Sequence, residues 1–176
     1  GMVTKPHFSI IMPVYNTPPK MLEEAIQSVT DQIYPHWELC IADDASDNPD
    51  VEEIIKKYCQ QDPRIKAVYR EENGHISAAS NSALSLASNA FIALLDHDDL
   101  LHPLALYMAA QTIIENPDCE IVYTDEDKIT QGGRRLDAYF KPDFNYELLL
   151  SQNMVSHLGV YRTKRVREVG GFRVGM

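Results

Sequence analysis

Apolar runs and amphipathic stretches alternate along the chain, and this alternation predicts a series of strands and helices. Phe8 to Val14 is a continuous apolar run that predicts a buried strand, and Asn16 to Pro19 form the turn that ends it. Apolar residues between Leu22 and Val29 then recur at helical spacing. The same reasoning predicts further strands at 39–42, 65–69, 91–95, 121–123 and 157–161, helices at 51–58, 76–87 and 103–115, a short helix near 148 and another from 163, and a polar loop at 125–142.

Continuous apolar strands separated by helices predict a mostly parallel central sheet with helices on both faces, which is the α/β class. The chain contains no linker, repeat or low-complexity tract, so one domain is expected. Such sheets bind ligands at the carboxyl ends of their strands. Tyr15, Asp43–Asp44, Asp96 to Asp99 and Asp125 to Asp127 all follow predicted strands. Four strands would therefore bring polar or acidic groups to one edge of the sheet.

Composition fits this class of protein without adding a function. The 176 residues are 44% hydrophobic and 24% charged, which is typical of globular domains. No apolar run approaches the ~18 residues of a membrane span. Three cysteines without a CxxC pairing fit a reducing compartment, so a cytoplasmic location is expected.

The distribution of charge is more informative than its total of −10. Residues 154–176 contain five basic side chains and one acidic one, which leaves 11 basic and 25 acidic groups, a net of −14, in residues 1–153. A surface this acidic repels a nucleic-acid backbone, so no nucleic-acid partner is expected. It can bind phosphates when a divalent cation lies between the carboxylates and the ligand. The basic segment Arg162 to Arg167 is either a solvated helix face or a surface that approaches anionic lipid at the inner face of the cytoplasmic membrane.

The acidic run Asp96-His97-Asp98-Asp99 has two interpretations. Carboxylate oxygens suit Mg²⁺ or Mn²⁺, with a phosphate completing the shell. Alternatively, the run is a solvated turn in which Asp98 or Asp99 caps the following helix. Asp43–Asp44 at the end of a neighbouring strand favours a metal–nucleotide site. The chain lacks GxGxxG, GxxxxGK[ST] and GxSxG, so dinucleotide-binding, P-loop and serine-hydrolase sites are not expected.

Five motifs in this order and spacing resemble the family 2 glycosyltransferases of the GT-A fold. They begin with Pro13-Val14-Tyr15-Asn16, Asp43-Asp44-Ala45-Ser46 and Leu95-Asp96-His97-Asp98-Asp99. Two further motifs, Tyr123 to Lys128 and Asn153 to Leu158, resemble the branch that builds bacterial surface polysaccharides. The resemblance extends over nearly all the chain, and it implies a single Rossmann-like GT-A domain.

The resemblance also implies roles for individual residues. Pro13 and Tyr15 would line the base pocket, and Asp44, with Asp43 as a further candidate, would accept a hydrogen bond from a uracil- or thymine-type base. Asp96 is expected near the ribose. Asp98 is expected on Mn²⁺ or Mg²⁺, and His157 near the metal and diphosphate.

Asp99 is left as a spare carboxylate, either beside the metal ligands or capping the helix near Pro103. The charged run 125–128 either faces the donor sugar or acceptor, or is a solvated loop. His97 is expected to be structural.

The implied reaction is an inverting, metal-dependent transfer of a sugar from a UDP- or dTDP-sugar to a glycan or lipid-linked glycan acceptor. An inverting transfer needs a base, and the resemblance implies an acid beyond Met176. We therefore expect residues 1–176 to be the nucleotide-sugar-binding part of a domain that is truncated at its C-terminal end and lacks the acceptor-side segment. The alternatives are a nucleotide-sugar-binding module without catalysis of its own, or a nucleotidyltransferase. The oligomeric state is not predicted.

Overall fold

The computed structural model describes residues 5–130 and 132–175, which form eight strands and six helices. The strands are β1 (Phe8–Val14), β2 (Trp37–Asp43), β3 (Ile65–Tyr69), β4 (Phe91–Leu94), β5 (Ile121–Tyr123), β6 (Glu126–Ile129), β7 (Arg135–Tyr139) and β8 (Gly159–Arg162). The helices are α1 (Pro19–Thr30), α2 (Pro49–Gln61), α3 (His75–Leu86), α4 (Ala105–Glu115), α5 (Tyr146–Ser151) and α6 (Thr163–Glu168). Within these ranges no helix is both long and apolar enough to cross a membrane.

Six strands form a central sheet in the order β3-β2-β1-β4-β8-β5. The pairs β1–β2, β1–β4 and β2–β3 are parallel. β8 is antiparallel to both of its neighbours, β4 and β5. The expected mostly parallel sheet is confirmed, with one reversed strand between β4 and β5.

Helices cover both faces of the sheet, as the sequence predicts. On one face, α1, α2 and α4 pack against alternate side chains of the strands, including Phe8, Ile10 and Ile41. On the other face α3 packs against Ile11, Cys40 and their neighbours through small residues such as Ala79 and Ala83. Small side chains let this helix lie close to the sheet.

The structure corrects the sequence-based prediction in one region and adjusts it in two others. The expected polar loop at 125–142 contains an antiparallel hairpin, β6–β7, which forms a separate two-stranded sheet. α4 begins at Ala105 after a turn at Pro103, and its N-cap residue makes no side-chain capping bond. β8 begins at Gly159, so His157 lies in the loop before the strand.

Candidate functional site

A cavity of about 380 Å³ opens at the carboxyl ends of β1, β2 and β4. Pro13, Val14 and Tyr15, at and after the end of β1, form part of its wall together with Ile76 and Ala79 of α3. Its polar lining residues are Asp44, Asn73, His75, Asp96, His97 and Asp98. The combination of an apolar wall with a few polar groups is typical of a small-molecule site.

Asp44 is a buried carboxylate that protein donors already hold in place. It accepts a hydrogen bond from Arg70 Nε at 2.7 Å and from the Gly74 backbone N–H at 3.0 Å. Arg70 is in turn anchored through a bond from Nη1 to Ser82 Oγ at 2.8 Å. A Cβ on Gly74 would lie 2.5 Å from Arg70 Nη2, so this close approach requires glycine. The carboxylate is therefore held in one orientation at the cavity wall.

Asp43, the second acid of this pair, has a different environment. Its Oδ1 accepts hydrogen bonds from both the N–H and the hydroxyl of Ser46, at 3.2 and 2.6 Å. In the described part of the chain, the cavity wall includes Asp44 and not Asp43. Alternation along a strand explains the difference, because successive side chains point to opposite sides.

Three potential metal ligands converge beside the cavity: Asp96, Asp99 and His157. His157 Nε2 lies 3.7 Å from Asp96 Oδ2, and its Nδ1 lies 3.3 Å from Asp99 Oδ2. One ligand atom from each residue fits within a span of 4.8 Å. Burial raises the pKa of Asp99; His157 opposes this rise, and the nearby carboxylates of Asp96 and Asp98 add to it.

The reversed direction of β8 explains how His157 reaches these acids. Asp96 and Asp99 follow β4, whereas His157 precedes β8. Because β8 is antiparallel to β4, the start of one strand lies beside the end of the other. A residue before a strand thus joins residues that follow one.

The acids of the run 96–99 differ in their surroundings. Asp98 is exposed and lines the cavity, while Asp99 rather than Asp98 belongs to the cluster with His157. The capping role considered for Asp99 is not observed, because α4 has no side-chain cap. His97, expected to be structural, also lines the cavity.

The loops around the cavity have unusual backbone conformations. Asn16, Ala45 and His75 have positive φ values of 47°, 60° and 62° although none is glycine. Such residues concentrate at functional sites, where surrounding contacts maintain them. Asn16 shows such contacts: its side-chain oxygen accepts from the Asp47 N–H, and its own N–H donates to Ser46 Oγ.

Sequence reasoning missed Arg70, Asn73 and Gly74, which follow β3: Asn73 lines the cavity, and the other two hold Asp44. Their segment carries its own acidic pair, Glu71–Glu72, which begins two residues after β3, so the strand-end rule applied to this strand would have indicated it. A second available signal is Gly74 immediately before the small-residue helix, because glycine there allows a close backbone approach.

Comparison with proteins of known structure identifies the fold. A structure of S. aureus TarS 1-349 in complex with UDP-GlcNAc superimposes with a TM-score of 0.76, at 26% identity, over 94% of this chain and 48% of that one. The fold is GT-A, as the sequence resemblance implied.

Sequence comparison identifies the family. The family described as "Glycosyl transferase family 2" matches residues 9–170, so the chain belongs to that family. It is 55% identical to the uncharacterized protein y4gI of Sinorhizobium fredii, over 97% of this chain and 19% of that protein. It is 32% identical to the O-antigen biosynthesis protein RfbC of Myxococcus xanthus, over 97% of this chain and 13% of that protein. The chain therefore spans less than a fifth of these two relatives and about half of the TarS chain.

Proposed function

We propose that the chain binds a nucleoside diphosphate sugar, of the UDP or dTDP type, and supplies the donor side of a metal-dependent, inverting sugar transfer in cell-surface polysaccharide synthesis. The observation that carries the proposal is the cavity with Asp44 in its wall and the Asp96–Asp99–His157 cluster beside it. Family membership favours this activity over nucleotidyl transfer. RfbC supports the polysaccharide assignment, and TarS with UDP-GlcNAc supports the donor class.

The arrangement of strands supports an elongated donor. Asp44, Tyr15, Asp96 and His157 adjoin β2, β1, β4 and β8, which are consecutive in the sheet. At ~4.8 Å between strands, these groups extend over three spacings, roughly 14 Å. A nucleoside diphosphate is a ligand of this form, with an apolar base at one end and charged phosphates at the other.

The chemistry of the cavity supports a pyrimidine at the Asp44 end. Pro13 and Tyr15 offer apolar and aromatic surface to a ring. The Asp44 carboxylate, held by Arg70 and Gly74, has remaining capacity to accept a bond from the N3–H of uracil or thymine. Asp96 then lies between the base and the phosphates, where a ribose would be.

The acidic cluster fits a divalent cation. Asp96, Asp99 and His157 would hold it, with Asp98 as a further carboxylate. The carboxylates suit Mg²⁺ or Mn²⁺, and the imidazole favours Mn²⁺ because Mg²⁺ prefers oxygen ligands. When bound, the ion would neutralise charge on the leaving diphosphate. The protein itself orients the base through Asp44 and keeps the acids of the cluster together.

The acceptor side of the reaction is proposed more coarsely. The acceptor would be a glycan or a lipid-linked glycan, and its hydroxyl needs a general base. That base remains a prediction for a position after Met176, outside the described residues. We expect residues 1–176 alone to bind donor without transferring sugar, which mass spectrometry over a panel of UDP- and dTDP-sugars would test. Rapid transfer would contradict the expected position of the base.

Calorimetry of UDP binding, with and without Mn²⁺, tests the donor proposal. Asp44→Asn should weaken UDP binding about tenfold to a hundredfold in both conditions, since a bond to a charged group contributes about 1.5–3 kcal/mol. Asp99→Asn should remove only the part of the affinity that depends on Mn²⁺. Asp118→Asn, at an exposed position away from the cavity, is the matched control.

Two results would contradict separate parts of the proposal. Equal UDP affinity with and without Mn²⁺ would contradict the metal part of the proposal. Absence of UDP binding in both conditions would contradict the proposed donor class. Asp98→Asn in the same series shows which acid of the run the metal uses, because the larger loss identifies the ligand.

A further inference from the structure

Lys141, in the segment after β7, has a nearly buried side chain, with 1% of its surface exposed. Its Nζ donates to Glu126 Oε2 at 3.0 Å, to the Val155 carbonyl at 2.8 Å and to the His157 carbonyl at 2.6 Å. An ammonium group has three N–H donors, so all of them have a partner. This lysine therefore joins the hairpin to the loop that carries His157.

Glu126, the ion-pair partner of Lys141, contacts the same loop. Its Oε2 accepts a hydrogen bond from the His157 backbone N–H at 3.0 Å. Lys141 and Glu126 together thus hold both backbone polar groups of His157. Ser156, immediately before it, has a φ of 43°, a conformation that persists only where neighbouring contacts maintain it.

We propose that Lys141 is a positioning residue that, with Glu126, holds the His157 imidazole against Asp96 and Asp99. The proposal rests on the function proposed above, because it concerns the same metal cluster. Lys141 contacts the backbone of His157 and acts on the cluster only through it. The hairpin β6–β7 then has a defined task, which is to provide Glu126 and to lead the chain to Lys141.

An electrostatic effect of Lys141 and a positioning effect predict changes of opposite sign in Mn²⁺ affinity when the lysine is replaced. The proposal can therefore be tested directly. Removing a positive charge close to an acidic cluster strengthens cation binding if charge alone matters. Removing a group that orients a metal ligand weakens it, typically about tenfold to a hundredfold. The sign of the change in Mn²⁺ affinity therefore separates the two accounts.

The experiment measures Mn²⁺ binding to the whole chain by electron paramagnetic resonance, with UDP present. Lys141→Met keeps the aliphatic stem and removes the donors; we expect Mn²⁺ affinity to fall about tenfold or more. Pulsed measurements should also lose the coupling of the imidazole nitrogen to Mn²⁺. Lys128→Met is the matched control, because Lys128 lies in the nearby hairpin β6–β7 with 75% of its side chain exposed. It should change neither signal.

Further variants keep the test decisive if Lys141→Met folds poorly. Glu126→Gln retains Lys141 and an amide oxygen for the His157 N–H, so a smaller fall is expected. His157→Ala should lower Mn²⁺ affinity by itself, and adding Lys141→Met to it should cause no further loss.

The outcomes distinguish the two proposals. Unchanged or tighter Mn²⁺ binding by folded Lys141→Met and Glu126→Gln, with the nitrogen coupling intact, would overturn the positioning role alone. A wild-type protein without that coupling, or with Mn²⁺ affinity unaffected by His157→Ala, would overturn the metal role of His157 and the positioning role together.

Discussion

Two regions contribute to the candidate site and are held together by different forces. In the strand region, residues 5–99, every residue of β1 and β2 is buried. In the hairpin region, residues 121–162, β6 and β7 contain no buried residue. Its hairpin is joined by ion pairs such as Arg135–Asp127 and Lys128–Asp137. The strands at the cavity thus pack in the apolar core, whereas the β6–β7 hairpin is held by hydrogen bonds and charge. The loop of His157 combines both, because its neighbours Met154 and Leu158 are buried.

This difference shows that the site combines a part supported by apolar packing with a hairpin supported by polar contacts. A buried apolar side chain contacts many neighbours, so the cavity wall has support that no single bond provides. The hairpin depends on a few polar contacts, each of which contributes modestly. Breaking either kind of support should therefore produce effects of different size and kind.

The largest expected effect is the loss of a core side chain in the strand region. Ile41 is fully buried in β2, and Ile41→Ala should lower the free energy of unfolding by about 2–5 kcal/mol. Ile129→Ala is the matched change in the hairpin region, where the side chain is 50% exposed, and should cost less than about 0.5 kcal/mol. Urea denaturation measures both. Equal losses would show that the hairpin is packed as tightly as the sheet.

A second prediction compares two glutamates that each bind a lysine and a backbone N–H. Glu38 in β2 is buried and accepts bonds from Ser9, Lys66 and the Ser88 N–H. Glu38→Gln should cost about 1–3 kcal/mol, because buried donors lose a charged partner. Glu126→Gln, more exposed, should cost less than about 1 kcal/mol. Urea denaturation of the two variants tests the order, and the reverse order would contradict the comparison.

A third prediction concerns acid sensitivity in the strand region. Burial raises the pKa of Glu38, but hydrogen bonds from Lys66, Ser9 and Ser88 outweigh it and the net pKa is below the usual 4.5. The stabilisation is therefore complete above that usual value and is lost as the pH falls through the lower pKa of the folded state. Wild-type stability should fall more steeply than that of Glu38→Gln between about pH 5 and pH 3. Parallel curves would contradict the assignment.

The smallest effect is expected for Lys164 and Arg165 of the basic segment Arg162 to Arg167, because these two residues lie outside both regions. Arg165 pairs with Glu120 and Glu168, and Lys164 lies near Glu168 on an exposed face. Replacing Lys164 and Arg165 with Gln should leave UDP affinity unchanged. A salt-sensitive loss of binding to anionic liposomes in that variant would instead support a membrane-surface role.

The strand region could be predicted from the sequence because its elements are defined locally. β1 and β3 have the bounds that their apolar runs predict. The rule that ligands bind at strand ends was enough to bring Tyr15, Asp44 and Asp96 to one cavity. These segments are recognisable because buried strands are apolar and because turn-forming or acidic residues follow them.

The hairpin region could not be predicted in the same way. β6 reads Glu-Asp-Lys-Ile and lies on a solvated surface, so no alternation of apolar and polar residues indicates a strand. Lys141 contacts His157, which is 16 residues away, and no local pattern records such a contact. No definite role could be predicted for Asp99, because it meets His157 only as a result of the reversed direction of β8.

The strand order also limits when the central sheet can form during synthesis. Among the strands that the structure describes, β8 is synthesised last, yet it lies between β4 and β5. Until Gly159 to Arg162 have emerged, one edge of β4 is open, and such an edge is prone to pair with other chains. β5, made earlier, has to wait for a strand that follows it by some 36 residues. The strand that fills the gap between β4 and β5 also brings His157 beside Asp96 and Asp99, so a nascent chain joins the six strands and assembles this cluster in the same step.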